Sequence, residues 1–277
     1  MPSTPSVSRT DPRPPKRPLA IITGASEGLG RDFARLYAAD GHDLVLVARR
    51  DELLSELAHE LESTHDVKCQ VVPADLSRPE ERSWLLRRVE AERGRLVALV
   101  NNAGLGGLGR FDEMPQERIQ LQLDVNVSAL THLTRVVLPW MRENGAGHVM
   151  NLASVAAFTP GPLMSVYYAS KAYVLSLSEA LHNECAGSGV TVTAVCPGPT
   201  ITGFQRVAGV VRGSGGAPPM DSAEVAAIAY RGTKAGKRVV VTGGRNRVAA
   251  FGARHLPRAL MLRVIRRLQE KRSHPER

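Results

Sequence analysis

Ile21-Ile22-Thr23-Gly24-Ala25-Ser26-Glu27-Gly28-Leu29-Gly30 runs from an apolar, β-branched segment into three closely spaced glycines, and a helical period follows at once. Strand, glycine turn and helix in that order make the first half of a βαβ unit. Glycines at such a joint let the backbone approach a pyrophosphate, whose charge the following helix N-terminus stabilises. The spacing Gly-x-x-x-Gly-x-Gly differs from G-x-G-x-x-G, so a purely structural strand–helix joint is the competing reading. The same stretch holds Gly24-Ala25-Ser26-Glu27-Gly28, which has the G-x-S-x-G form of a nucleophile elbow. Such an elbow follows several strands and an oxyanion loop. Here only residues 1–18 precede the first strand, and a hydrolase is set aside.

Outward from this turn, short β-branched runs alternate with longer helical segments, the pattern of a parallel sheet built from βαβ units. The pattern predicts strands at Leu19–Thr23, Leu44–Ala48, Cys69–Ala74, Leu96–Asn101, His148–Leu152, Thr191–Cys196 and Arg238–Thr242. It predicts helices near Gly28–Ala39, Asp51–Ser63, Pro79–Arg93, Gln116–Glu143, Met164–Ala186 and Ser222–Thr233. Right-handed crossovers would place these helices on both faces. The expectation is an α/β chain with a single doubly wound Rossmann-type domain over residues 19–244, its seven-stranded parallel sheet covered on both sides. Gly198–Met220 breaks the rhythm with Gly, Pro and apolar residues, and a loop this long inside a domain reads as a lid.

The 277 residues are 43% hydrophobic and 23% charged, enough for a buried core, which excludes collagen-like and wholly disordered chains. No apolar run reaches the ~18 residues of a membrane-spanning helix. Residues 1–18 hold six prolines and no apolar core segment, and read as a disordered leader, neither a secretory signal nor a transit peptide. Cys69, Cys185 and Cys196 are an odd, scattered set without C-x-x-C. They fit neither a disulfide framework nor a zinc site, so no metal and a cytoplasmic location are expected. The net charge of +9 resolves into +3 on residues 1–18, +8 on residues 245–277 and −2 on the body between. A basic tail on a near-neutral globule gives the globule no nucleic-acid partner.

Several further motifs carry chemistry. The second strand ends in Ala48-Arg49-Arg50, where NAD sites place an acid for the ribose hydroxyl and NADP sites place Arg for the 2′-phosphate. Two arginines without an acid predict NADP(H) over NAD(H), solvated loop charge being the alternative for either. Gly104-Leu105-Gly106-Gly107-Leu108-Gly109 is a formal G-x-G-x-x-G, but no helix opens directly after it, and it is read as a loop. Tyr167 and Lys171 stand at i and i+4 of a helical pattern and share one face. A cation beside a phenol favours the phenolate, which makes Tyr167 a usable acid or base near neutral pH. Ser154, at the end of the fifth strand, can donate to an oxygen held by Tyr167.

Together these residues resemble the short-chain dehydrogenase/reductase family over about Leu19–Gly244. Within the glycine turn, Gly24, Ser26, Gly28, Leu29 and Gly30 resemble the family's cofactor motif, and Asp75-Leu76 its adenine-contacting pair. Asn101-Asn102-Ala103-Gly104 resembles the fourth-strand signature, Tyr167-Tyr168-Ala169-Ser170-Lys171 the Y-x-x-x-K helix, and Pro197-Gly198 with Thr200 or Thr202 the nicotinamide-side loop. Asn126 in Asp124-Val125-Asn126-Val127 matches the family's helix asparagine, which is implied to hold a water linking Lys171 to solvent; a polar helix kink is the alternative. Tyr168 is rotated about 100° from Tyr167 and is assigned to packing or the pocket wall. Glu27 stands where some NADP-preferring members carry a basic residue, so NADP preference rests on Arg49 and Arg50.

The resemblance implies hydride transfer between a nicotinamide cofactor and a small-molecule carbonyl or alcohol. Tyr167 would move the proton, Ser154 polarise the oxygen, Lys171 bind the ribose and tune Tyr167, and Asn126 complete the relay. Apolar lid residues Ile201, Phe204, Val207, Val210 and Val211 point to a hydrophobic substrate. The family also implies a homo-oligomer, dimer or tetramer, through the two long helices. The rival is a non-catalytic adaptor that uses its basic tail on a membrane or nucleic acid. In that tail Leu260, Met261, Val264, Ile265 and Leu268 recur on one helical face, with Arg263, Arg266 and Glu270 opposite. Such a helix docks on its own body or lies on an anionic membrane surface.

Overall fold

A computed structural model describes residues 17–204, 208–209 and 218–273. Residues 1–16 of the expected leader, and Val207, Val210 and Val211 of the expected lid, lie outside the described residues. Seven strands, β1 (Leu19–Thr23), β2 (Asp43–Ala48), β3 (Cys69–Pro73), β4 (Leu96–Asn101), β5 (Gly147–Leu152), β6 (Val190–Cys196) and β7 (Val239–Val241), form one sheet. Their order is β3-β2-β1-β4-β5-β6-β7, with parallel pairing throughout. The order reverses between β1 and β4, and it is outside the carboxyl ends of strands at such a switch point that doubly wound folds bind ligands.

The helices are α1 (Leu29–Ala39), α2 (Asp51–Thr64), α3 (Pro79–Glu90), α4 (Gln116–Leu123), α5 (Leu130–Glu143), α6 (Ser165–Glu184), α7 (Ser222–Lys234), α8 (Gly244–His255) and α9 (Arg258–Ser273). Phe33, Tyr37, Leu54, Leu57, Ala226 and Ala229 seat α1, α2 and α7 on one core with Ala20, Ile22, Leu44 and Leu46. Leu85, Val89, Leu133, Val137 and Met141 seat α3 and α5 against the other face, with Ile21, Val45 and Leu99. Fully burying such side chains stabilises the fold by about 1.5–3 kcal/mol each before entropy is counted.

Three sequence expectations need correction. Gln116–Glu143 is not one regular helix: Asp124–Ala129 forms a π-helical segment between α4 and α5, and Asn126 sits inside it. Residues 244–255, read as basic tail ahead of the helical face that starts at Leu260, form a helix of their own, α8. Its anchor is Asn246, whose amide donates to the Thr242 carbonyl at 2.7 Å. In α9 the buried seam is turned relative to the predicted face: Met261, Ile265 and Leu268 are partly buried and Gln269 fully so. Leu260 and Val264 remain 47% and 42% exposed.

At the amino ends of the strands a polar cluster interrupts the apolar core. The buried Tyr37 hydroxyl lies 2.8 Å from Nε2 of His148, and Tyr230 donates to Asp40 at 2.6 Å. Burial, with Lys234 and His42 nearby, takes the His148 imidazole from 6.5 down to about 4. Its folded value lies below its unfolded one, so protons bind the unfolded chain more tightly through this interval. Stability is therefore full above about pH 6.5 and is lost as pH falls towards 4, by about 3 kcal/mol at 1.36 kcal/mol per unit. Denaturant titrations between pH 7 and 4 are expected to show this loss, and His148→Gln to flatten it. An equally steep curve in the variant would assign the acid sensitivity elsewhere.

Candidate active site

Thr23, the last residue of β1, closes the floor of the cleft. Its hydroxyl donates to the Val100 carbonyl at 3.1 Å and accepts the Asn102 and Ala103 N–H groups at 2.9 and 3.0 Å. The Asn102 side-chain amide donates to the carbonyls of Thr23 and Gly24 at 2.9 and 3.2 Å, so the glycine turn is tied to the residues after β4. Gly24 and Gly28 take φ of 65° and 56°, which favour glycine. Gly28 is also the N-cap of α1 and offers no side-chain cap. A Cβ on Gly30 would lie 2.1 Å from the Gly24 carbonyl oxygen and 2.6 Å from Asn102 Nδ2. Gly30→Ala is accordingly expected to force the turn apart, lowering stability by about 1–3 kcal/mol as overpacking does. Calorimetric titration should show at least about tenfold weaker dinucleotide binding on the scale of 1.4 kcal/mol per decade; unchanged affinity would clear the turn of that role.

At the end of β2, the Arg50 guanidinium donates to Ser26 Oγ at 3.0 Å and pairs with Glu27 at 3.2 Å. Glu27, noticed in the sequence as a departure, is therefore a partner of the very arginine on which cofactor preference depends. Arg49 lines the cleft beside it. The Asp75 carboxylate accepts from the Ser77 N–H and hydroxyl at 3.0 and 2.8 Å, shaping its own turn, while Leu76 packs into the core below.

Across the switch point, α6 presents Tyr167 and Lys171 on one face, Nζ standing 5.8 Å from the centre of the Tyr167 ring. Lys171 is 5% exposed and donates to the Leu152 carbonyl at 2.7 Å. Desolvation takes its ammonium from 10.5 down to about 8. Ser154, extended after β5, accepts the Ala156 N–H at 3.1 Å and reaches the Pro197 carbonyl at 3.5 Å. Asn126 donates to the Leu105 carbonyl and Ser170 Oγ at 2.9 and 3.0 Å and accepts the Leu105 N–H at 3.0 Å. The π-helical segment turns this amide towards the active-site loop, in keeping with the placement of such bulges at functional sites.

One cleft of about 1280 Å³ takes in most of the predicted residues: Gly24, Ser26, Gly28, Leu29, Arg49, Arg50, Asp75, Leu76, Asn102, Ala103, Gly104, Ser154, Tyr167, Lys171, Pro197, Gly198, Thr200 and Thr202. Gly30 and Asn126 stand behind the lining. The expected lid begins over it: Thr200 and Met220 pair, joining the two ends of the loop. Thr202 lies against Gly28, and the Phe204 ring stands 5.2 Å from that of Tyr167. Sequence reasoning passed over Leu121, Val125, Val155, Ala156 and Met164, which make the cleft beyond Tyr167 apolar. Nothing local distinguishes them from ordinary core residues. Among the described residues no group of His, Cys, Asp or Glu is placed to hold a metal ion, and no helix is long and apolar enough to cross a membrane.

The sequence profile of the short chain dehydrogenases matches residues 18–209. A short-chain dehydrogenase from Sphingobium yanoikuyae, solved in complex with NADPH, is 36% identical with a TM-score of 0.78, covering 88% of this chain and 95% of that one. The bulky-bulky ketone specific alcohol dehydrogenase from Comamonas testosteroni is 31% identical, with a TM-score of 0.74 over 88% of this chain and 93% of its own. Oxidoreductase UcpA of Salmonella typhimurium is 36% identical over 180 residues, 65% of this chain and 68% of UcpA. The chain belongs to the short-chain dehydrogenase family. It is a nicotinamide-dependent oxidoreductase of the kind that interconverts carbonyls and alcohols.

Proposed function

We propose that this protein reduces a hydrophobic ketone, aldehyde or ketoacyl compound with NADPH, or oxidises the corresponding alcohol with NADP. The observation that carries the reading is the meeting of Ser154, Tyr167 and Lys171 in the same cleft as the glycine cradle. The positive-φ glycines and the open N-terminus of α1 fit a pyrophosphate. Gly24, Ser26, Gly28 and Leu29 would hold it, Asp75 and Leu76 the adenine, and Asn102, Ala103, Gly104, Pro197, Gly198, Thr200 and Thr202 the nicotinamide half. When bound, that cofactor supplies or takes up the hydride at the reacting carbon.

The protein's own part is the proton and the oxygen. Tyr167 gives its hydroxyl proton to the developing alkoxide, and Ser154 donates to the same oxygen and fixes its position. Lys171 holds the nicotinamide ribose and, as a cation, makes the Tyr167 phenolate cheaper to form. Asn126 Oδ1 and Lys171 Nζ both lie 3.3 Å from where a Gly104 Cβ would be, and this side-chain-free gap supports a proton relay between them.

Arg49 and Arg50 support NADP, with the Glu27 carboxylate set against the 2′-phosphate unless Arg50 stays between them. A homo-oligomer, dimer or tetramer, fits the half-exposed Leu123 and Tyr173 on the long helical faces. Light scattering at micromolar concentration is expected to give a multiple of 29.9 kDa, and a monomer would refute the assembly. The contacts of α9 favour the docked reading of the basic helix over the membrane one, and three cysteines outside any disulfide suit a reducing cytoplasm. Loss of NADPH absorbance with a panel of hydrophobic ketones and aldehydes tests the function. Turnover is expected; none with any carbonyl would favour the non-catalytic adaptor.

A further inference from the structure

The match to the family profile ends at residue 209, yet the substrate end of the cleft is finished by a segment well beyond it. Ala156, Met164 and Tyr168 form a small apolar cluster lining the cleft, and Leu108, Tyr167 and Ile265 of α9 pack against it. One helical turn past Ile265, Gln269 is 1% exposed. Its side-chain amide donates to the Tyr168 hydroxyl at 2.9 Å, across 101 positions of sequence. The other end of that tyrosine is also fixed. Its N–H donates to the Met164 carbonyl at 3.0 Å. Its ring lies so close over Gly161 that a Cβ there would come within 2.2 Å of it. The ring stands edge-on to that of Tyr167, centroids 6.1 Å apart.

We propose that Gln269 is a specificity-determining positioning residue: by holding the Tyr168 hydroxyl it fixes the pocket wall beside Tyr167 and sets an upper limit on the apolar group carried by the carbonyl carbon. The proposal rests on the carbonyl-reducing reading above. A phenol ring gripped at both ends cannot turn aside for a larger substrate, because interiors this closely packed do not yield continuously. Without the donor at its hydroxyl, the ring loses that hold and gains freedom to move. Gln269 is not itself part of the cleft lining and reaches the cleft through Tyr168. The substrates selected are ketones and aldehydes with one compact substituent, and larger aryl ketones are held back by the wall.

Gln269→Leu keeps the volume and removes the donor; Tyr168→Phe removes the hydroxyl from the other side. The test compares kcat/KM for butanal and for valerophenone in the wild type, both single variants and the double variant. Each single substitution is expected to shift the ratio towards valerophenone at least fivefold, with the double variant no further shifted than either, as contacting residues behave. A ratio within twofold of wild type in both single variants, equal loss for both substrates, or multiplying effects in the double variant would overturn the proposal. Hydrogen exchange gives a readout that does not depend on turnover: amides of residues 258–273 should exchange faster in both single variants. Unchanged exchange overturns the clamp. Should Gln269→Leu fail to fold, Tyr168→Phe carries both measurements. A wild type inert to every carbonyl would instead refute the functional reading, and it would be seen before any variant is compared.

Discussion

Tyr167→Phe is expected to lower kcat for carbonyl reduction by about 10²–10⁴-fold, the usual contribution of a positioned general acid, while dinucleotide affinity stays within about twofold. The asymmetry follows from where the hydroxyl stands. The glycine cradle, Asp75 and the two arginines after β2 line other parts of the cleft and are untouched by the change, whereas the proposed proton donor is gone. Ser154 survives as a donor to the oxygen but cannot complete an alcohol without a source of proton. Neighbouring Tyr168 cannot substitute, because Gln269 and Gly161 hold it turned away. Steady-state kinetics and fluorescence titration of the cofactor check both halves. More than a tenth of wild-type kcat in the variant would refute the role.

Replacing Arg49 and Arg50 together by Ala is expected to weaken NADPH by about 10- to 150-fold, since a hydrogen bond to a charged group is worth about 1.5–3 kcal/mol, with little change for NADH. The Arg50–Glu27 pair sharpens the expectation. Removing Arg50 loses a donor and also leaves the Glu27 carboxylate unneutralised next to the 2′-phosphate position, so repulsion adds to the loss. Dissociation constants for both cofactors, measured at low and high salt, decide it. Equal weakening of both would mean general electrostatics and remove the basis for preferring NADP.

The sheet was legible because each strand is a short apolar run that ends in turn residues. Leu19–Thr23 and Leu96–Asn101 have the same limits in sequence and structure. Ser154, Tyr167 and Lys171 were legible because their spacing is local and the sheet order brings the ends of β5 and α6 together. What escaped depends on distant partners. α8 has no apolar stripe to announce it, and its anchor Asn246 acts through the backbone after β7. The period of α9 makes Leu260, Val264 and Ile265 equivalent, and the cluster of Ala156, Met164 and Tyr168, about a hundred residues earlier, is what Ile265 and Gln269 face. The π-helical segment at Asp124–Ala129 was foreshadowed only as the alternative of a polar kink at Asn126, whose bonds to Leu105 and Ser170 join positions distant in sequence.

The seat of Gln269 has a consequence for how the protein is made. Synthesis runs from the N-terminus at about 5–20 residues per second, and domains fold as they emerge. Every strand of the sheet, from Leu19 to Val241, leaves the ribosome before α9 does. The nascent chain can therefore assemble its glycine turn, with Thr23 and Asn102 bonded, while the helix that grips Tyr168 is still in the exit tunnel. A dinucleotide captured at that stage would brace the young sheet before there is a finished chamber for substrate, and the proposed selectivity would begin only once α9 has emerged and packed on Tyr168.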